Sequence, residues 1–416
     1  MQNIKVIIGA NYGDEGKGLA ADYFAANADS KDKTINVLTN GGPQRGHTVE
    51  LADGRRHVFK HFGAASFRNV PSYFAPQFMI NPMEFVREYD ALRSVPGVPV
   101  VYMHPECRFT TPWDMLTNQI IQEKRGIHNS CGFGVWETVL RYRRGFGISF
   151  SALVSMSRED RISWLRALRD GYFVRRLKEL GAAGSSPEIN QKTEGRPESL
   201  QDAGLEDFFF RDDLLFHFEE DCEAMRLSCA LRGEAFLKNY QTVLFENAQG
   251  LLLDGNAPGE QEYTTPSTTG SGRVLQTIER IFKGADVEIC YVTRSYLTRH
   301  GDGSMAGEID SLSRGDLLPG VKADATNVEN RFQGILRYGM MDVDSLSGRI
   351  RTDYARCRGA SRNFYHPSVM ITHLNEYAGI DTGSLAELFG TLYLSDGKTC
   401  RDVHMEKSAA AKSAAS

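Results

Sequence analysis

"NYGDEGKGLAADYF" (Asn11–Phe24) follows the apolar run "VIIGA" (Val6–Ala10), and this junction decides the fold. An apolar strand, a glycine-bearing loop with one lysine and a helix-prone stretch together make a phosphate cradle. The glycines let backbone N–H groups converge on an anion, and the dipole of the following helix reinforces them. The usual loop of this kind, G-x-x-x-x-G-K-[ST], places a hydroxyl after the lysine to hold magnesium. Here Gly18 follows Lys17, and Asn11 stands in place of the first glycine. The metal therefore needs another ligand. Asp14 inside an anion cradle would repel phosphate unless a hard cation lay between them, and a carboxylate is what such a cation takes.

Working outward, Lys5–Ala10 reads as a buried strand and Gly18–Ala26 as the helix after it. Similar apolar runs ending in polar loops recur at Thr34–Gly42, Val98–Pro105, Gln241–Gly250, "VEICYVTRSYLTRHG" (287–301) and "PSVMITHLNEYAG" (367–379). Strands alternating with helical stretches predict an α/β fold with a mostly parallel central sheet flanked by helices. Ligands then gather at the carboxyl ends of the strands, where these loops lie. Residues 158–239 are charged and helix-prone, and read as a helical insertion within a single domain spanning 1–404. Inside that insertion "GAAGSSPEINQKTEGRPES" (181–199) lacks apolar periodicity and is expected to be a mobile loop. The low-complexity "MEKSAAAKSAAS" (405–416) is expected to be a disordered tail.

Composition removes several classes of function. The 416 residues are 41% hydrophobic and 24% charged, a soluble globular balance. A net charge of −5 offers no general attraction to nucleic acid or an anionic membrane. Seven cysteines without a CxxC pair fit a reducing compartment. With no signal-peptide pattern and no apolar run of membrane-spanning length, a cytoplasmic protein is expected.

A second glycine-bounded loop, "NGGPQRGHTVE" (Asn40–Glu50), carries Gly46, His47 and Thr48. A lone histidine is ordinarily structural. In company with "GDEGKG" (Gly13–Gly18), the pair resembles adenylosuccinate synthetase, whose pattern is GDEGKG followed by a glycine-bounded GHT. The resemblance continues in order through "GFGVWETVLRYRRG" (132–145), "FENAQGLLLD" (245–254), "YTTPSTTG" (263–270), "LTRHGDGSMAGE" (297–308) and "ATNVENRFQG" (325–334).

The resemblance implies a P-loop-like, GTPase-related core with a helical insertion. It also implies the activity of a carbon–nitrogen ligase: a γ-phosphoryl group passes to the 6-oxygen of a purine monophosphate, and the amine of aspartate then displaces it. A purine 6-oxo group leaves poorly, and phosphorylation makes it leave well. By the same resemblance Asp14 would take the proton from purine N1, and His47 would donate to the transferring phosphoryl group. Mg2+ would be held by Asp14 and the Gly46 carbonyl. Gly13, Glu15, Gly16, Lys17, Gly18 and Thr48 would line the donor phosphates. Asn375, Ser395 and Gly397 would surround the donor base. Gln249 would contact the purine 6-position and Thr264 the monophosphate, with Gln44, Asn129 and Ser130 beside them. Thr326, Asn327 and Arg331 belong to the loop that would meet aspartate and the ribose. Arg143 would reach the monophosphate from a neighbouring subunit, which implies a homodimer.

Two departures bear on the substrates. Where cellular members carry an arginine-rich loop, this chain has "TNVENRFQG" (Thr326–Gly334), with Glu329 in place of the arginine facing the ribose. A 2′-deoxy substrate loses less by that change. Where the family reads guanine with a lysine–x–aspartate motif, the chain has "THLN" (Thr372–Asn375). An amide can donate to adenine N1 and accept from its 6-amino group, which favours ATP over GTP as donor. Both departures resemble a phage branch that makes 2-amino-2′-deoxyadenylosuccinate from dGMP, aspartate and ATP, in the host cytoplasm. Members of that branch often have serine where this chain keeps Asp14. Asp14 can accept from both N1–H and the 2-amino group of guanine. The alternatives are an ordinary adenylosuccinate synthetase using IMP and GTP, a nucleotide-hydrolysing switch, and an inactive nucleotide-binding protein.

Overall fold

The computed structural model describes residues 1–93, 100–125, 130–180, 208–255, 263–322, 326–327, 332 and 334–408. The mobile loop expected at 181–199 lies outside the described residues, as do Asn129, Glu329 and Arg331.

The apolar run that opens the chain forms β1 (Asn3–Gly9), the centre of a ten-stranded sheet. Its flanking partners are β10 (Thr242–Gly250) and β11 (Asp286–Arg294), both parallel to it. Beyond β10 come β2 (Thr34–Leu38), β5 (Ser72–Phe74), β7 (Val101–Met103) and β9 (Cys229–Leu231). Beyond β11 come β14 (Phe364–Thr372), β15 (Thr391–Ser395) and β16 (Val403–Lys407). Every pairing in this sheet is parallel except β15 with β16 at the edge. The chain therefore has the α/β architecture with a mostly parallel central sheet that alternating strands and helices predict.

Strand alternation divides the core. Ile7 packs on one face of the sheet with Leu19 and Phe24 of α1 (Lys17–Ala26), Phe85 and Phe218. Val6 and Ile8 pack on the other with Ile278, Ile350 and Leu385. The helix Gly272–Ile281 shows how the sequence specifies this: Val274, Leu275, Ile278 and Ile281 fall on one side at helical spacing, and all four are buried.

Two expected boundaries change. Helices at Arg158–Ala167, Val174–Glu179 and Asp212–Ser228 occupy the charged middle region read as an insertion within the domain, whose end falls before 229 rather than at 239. Leu165, Phe173, Leu215 and Phe218 join the core on the α1 face, and the chain next forms β9 in the main sheet. At the C-terminus β16 pairs through Lys407 with Thr391, so the chain is ordered past 405, where the tail was expected to begin. Residues 409–416 lie outside the described residues.

Three two-stranded ribbons complete the strands: β3 (His47–Glu50) with β4 (Arg56–Phe59), β6 (Met79–Ile80) with β8 (Arg108–Phe109), and β12 (Leu297–His300) with β13 (Leu336–Gly339). No helix among the described residues is long and apolar enough to cross a membrane.

Candidate active site

The register between β1 and β10 slips where the strands end. Ile7 faces Glu246 but Gly9 faces Gly250, so three residues of β10 oppose one of β1. Gln249 in this bulge has φ 63°. Bulges of this kind re-aim side chains next to active sites. Here the result is that the end of β10 closes over the loop after β1.

That loop is fixed from three sides. Gly13 and Gly16 adopt positive φ, and Asp14 does so as well at φ 39°. Arg294, the last residue of β11, donates from Nε to the Asp14 carbonyl at 2.6 Å. Thr372, the last of β14, donates from Oγ1 to the Glu15 carbonyl at 2.8 Å. The Glu15 carboxylate turns into its own loop, accepting from the Asn11 and Gly13 amides at 3.0 and 2.8 Å and from Lys17 Nζ at 2.9 Å. Burial raises the Glu15 pKa, and Lys17 opposes that rise. Glu15 is thus an internal brace, placed off the cleft wall rather than against a donor phosphate, and it holds Lys17 at the cleft floor.

The glycine after Lys17 has a spatial cause. A Cβ on Gly18 would collide with the Thr48 carbonyl oxygen, because β3 crosses α1 at that point. The position that carries a metal-binding hydroxyl in other phosphate loops is here taken by the strand that brings in His47.

Around His47 lies a buried cluster. Glu246 on β10 meets both the Arg45 guanidinium and His47 Nδ1 with the same oxygen, Oε1, while Oε2 accepts from the Ala64 amide at 3.1 Å. Arg45 Nη2 also lies 2.7 Å from His47 Nδ1. Burial and the adjacent Arg45 lower the His47 pKa to about 3, against the pull of Glu246, so the imidazole is neutral. Burial alone would raise Glu246, but Arg45 and His47 hold it down to about 2. With Nδ1 engaged by these neighbours, Nε2 is the nitrogen left to meet a substrate. Sequence patterns alone did not single out Arg45 and Glu246. The available signal was an acid inside the strand of the "FENAQG" motif and an arginine two residues before the histidine.

These elements enclose a cleft of about 450 Å3 at the carboxyl ends of the strands. Gly13, Asp14, Gly16, Lys17 and Gly18 form its floor, and Gln44, Gly46, His47 and Thr48 one wall. Ser130, Gln249, Thr264, Thr326 and Asn327 also line the cleft. Asn375 and Gly397 line it too, whereas Ser395 is buried off the lining and donates to the Gly397 carbonyl at 3.0 Å. Arg143 is exposed at the end of the helix Val135–Arg143, away from the cleft of its own chain. Among the described residues, seven lysines and arginines line the cleft against four acids, in a chain of net charge −5. That local reversal of sign suits anionic ligands.

Magnesium would find a fitting donor set. The Asp14 carboxylate makes no hydrogen bond among the described residues, and Gly46, whose carbonyl would be the second ligand, borders the same cleft. Two hard oxygens with the remaining positions left to phosphates and water match the preference of Mg2+.

A family model described as adenylosuccinate synthetase matches residues 6–356. The adenylosuccinate synthetase of Lactobacillus helveticus is 26% identical over 308 residues, covering 73% of this chain and 64% of that protein. That of Mesoplasma florum is 24% identical over 356 residues, covering 84% and 74%. This chain therefore spans about two thirds to three quarters of these relatives' lengths. Among solved structures, the fully ligated adenylosuccinate synthetase of Plasmodium falciparum aligns with a TM-score of 0.63 at 16% identity, covering 97% of this chain and 88% of that one. The cyanophage S-2L succinoaminodeoxyadenylate synthetase, bound to dGMP and to dATP as an energy donor, aligns with a TM-score of 0.57 at 16% identity, covering 100% and 98%. Both likenesses concern the fold.

Proposed function

The chain belongs to the adenylosuccinate synthetase family, and from that premise we propose that it is a ligase joining aspartate to a purine 6-oxo monophosphate through a 6-phosphoryl intermediate. The carrying observation is the convergence of Asp14, His47 and Gln249 on one cleft floored by the glycine loop. Asp14 accepts the proton from purine N1, so electron density moves to the 6-oxygen. That oxygen bonds to the γ-phosphorus as the bond to the nucleoside diphosphate breaks. His47 Nε2 faces the transferring group, held by Glu246 and Arg45 behind it. The aspartate amine then attacks C6 and phosphate departs. Magnesium, when bound, supplies positive charge among the phosphoryl oxygens. Positioning and charge stabilisation are most of what such a transfer needs.

For the substrates we infer dGMP as acceptor and ATP as donor. Asn375 borders the cleft where the family has a carboxylate, and Glu329 replaces the ribose-facing arginine. The relative solved with dGMP and dATP supports the same reading. Arg143 is exposed on its own chain, which supports the reading that it serves the cleft of a second subunit in a homodimer. Mass spectrometry of products from IMP, GMP, dIMP and dGMP, each crossed with ATP and GTP in the presence of aspartate and magnesium, tests this. A succinylated product from dGMP with ATP is expected. Strong preference for IMP with GTP would return the protein to adenine synthesis. Asp14→Ala should abolish phosphate release without unfolding, and near-normal turnover in that variant would remove the mechanism.

A further inference from the structure

The Asp14 main chain is tightly held, yet its carboxylate is not. Arg294 fixes the carbonyl at 2.6 Å, and the residue sits at φ 39°, between two glycine-assisted turns. The side chain is 26% exposed in the cleft and receives no hydrogen bond among the described residues. A base that must take one particular proton needs its carboxylate aimed, because about 1 Å of misplacement can cost a hundredfold in rate.

A histidine stands beside it. His300 Nε2 lies 3.8 Å from Asp14 Oδ2, beyond hydrogen-bond distance but within one small ring movement of it. The His300 backbone is fixed at the end of β12 by its register with Leu336, and the side chain is only 9% exposed. Its Nδ1 is buried and has no partner among the described residues, which leaves the far side of the ring without a lock on its orientation. Gly301 and Gly303 come next with positive φ, so the chain turns away immediately and leaves the ring at the cleft wall. Catalytic hydrogen bonds that are long in a ligand-free site commonly tighten when substrate arrives.

We infer that His300 is the positioning residue for Asp14: its Nε2–H closes on Oδ2 and aims the carboxylate at the purine edge. The inference rests on the proposed role of Asp14 as base. In it His300 touches no reacting atom and acts only through the aspartate. The proton stays on Nε2 throughout, and no group transfer passes through the ring.

Three variants test it. His300→Leu, which keeps bulk and loses the donor, should lower kcat about ten- to a hundredfold while KM for both nucleotides stays within about twofold. His300→Gln, whose amide reaches the position of Nε2, should recover most of that loss. Adding His300→Leu to Asp14→Asn should cost nothing further, because the histidine works through the residue already disabled. A raised KM for the purine monophosphate with kcat intact would instead make His300 a substrate contact and overturn the proposal. Full additivity with Asp14→Asn, or unchanged turnover in His300→Leu, would overturn it too. A readout independent of catalysis separates this from failure of the ligase reading. In 15N–1H spectra of the histidine side chains with a purine monophosphate bound, and with His300 assigned by its absence from His300→Gln, the Nε2–H signal should shift in Asp14→Asn. If the wild type makes no product with any purine monophosphate but that signal shifts, the pairing stands and only the ligase reading falls. An unmoved signal refutes the pairing.

Discussion

Replacing Glu246 by glutamine should be among the most costly conservative changes in the protein. Its carboxylate is fully buried and answers three donors: Arg45 and His47 at Oε1, and the Ala64 amide at Oε2. Glutamine keeps the shape but removes the charge, leaving Arg45 uncompensated with 1% of its side chain exposed. Breaking a buried ion pair from one side costs about 3–5 kcal/mol. The amide also has only one accepting oxygen. With that oxygen turned to Arg45 and His47, its NH2 meets the Ala64 N–H, and a buried donor left unpaired adds about 1–3 kcal/mol. The expected loss is thus about 4 kcal/mol or more, a large share of the roughly 5–15 kcal/mol that stabilises a typical domain. Urea unfolding at neutral pH measures it as a fall in midpoint at constant slope.

The control is the double variant Arg45→Met with Glu246→Gln. It removes both charges, so it should recover part of the loss, since an apolar group in place of a buried pair is often tolerated. Turnover should fall in both variants, because His47 loses the carboxylate that orients its ring. A single Glu246→Gln variant within about 1 kcal/mol of wild type would refute the reasoning, as would a double variant no more stable than the single one.

Acidification supplies a second test. His47 and His61 each have a pKa lowered from 6.5 to about 3, with burial the leading cause, so each is neutral in the folded chain. Below pH 6.5 the unfolded chain binds protons that the folded chain refuses until about pH 3. Stability should therefore fall with pH across that window, by about 1.4 kcal/mol per unit for each histidine. The depressed Glu246 adds its own loss only below its unfolded value of 4.5. Between pH 6.5 and 4.5, His47→Asn should lessen the fall of the urea midpoint with pH, and an unchanged slope would contradict the buried neutral state. Mixing Arg143→Ala with Asp14→Ala protein should restore some activity, since one site of a mixed dimer is then whole; none, despite proven subunit exchange, argues against a shared site. Asn375→Asp should shift donor preference toward GTP by about 1–3 kcal/mol, read from competition between the two nucleotides.

What the sequence disclosed and what it hid divide by the distance over which each residue's reason acts. The cradle after β1 was legible because strand, glycines, lysine and helix succeed one another within a few residues, and the loop geometry is local. The same pattern pointed Asp14 to a cation but did not show that Glu15 turns away from the cleft. Both are acids in an anion cradle, and only the positive φ at Asp14 and the inward turn of the Glu15 side chain separate a cleft carboxylate from a brace. Arg45 and Glu246 are 201 residues apart and meet because β10 lies beside β2, which is a fact about sheet order. Strand β9 was missed for a related reason: three residues are too few to show alternation, and pairing with β7 defines them. Gly18 shows the limit most clearly. In sequence it reads as the loss of a hydroxyl ligand, a departure to be compensated by Asp14. In space, any side chain there would push away β3, the strand that carries His47. The absence of a hydroxyl at position 18 and the arrival of His47 at the cleft therefore arise from one crossing of strand over helix.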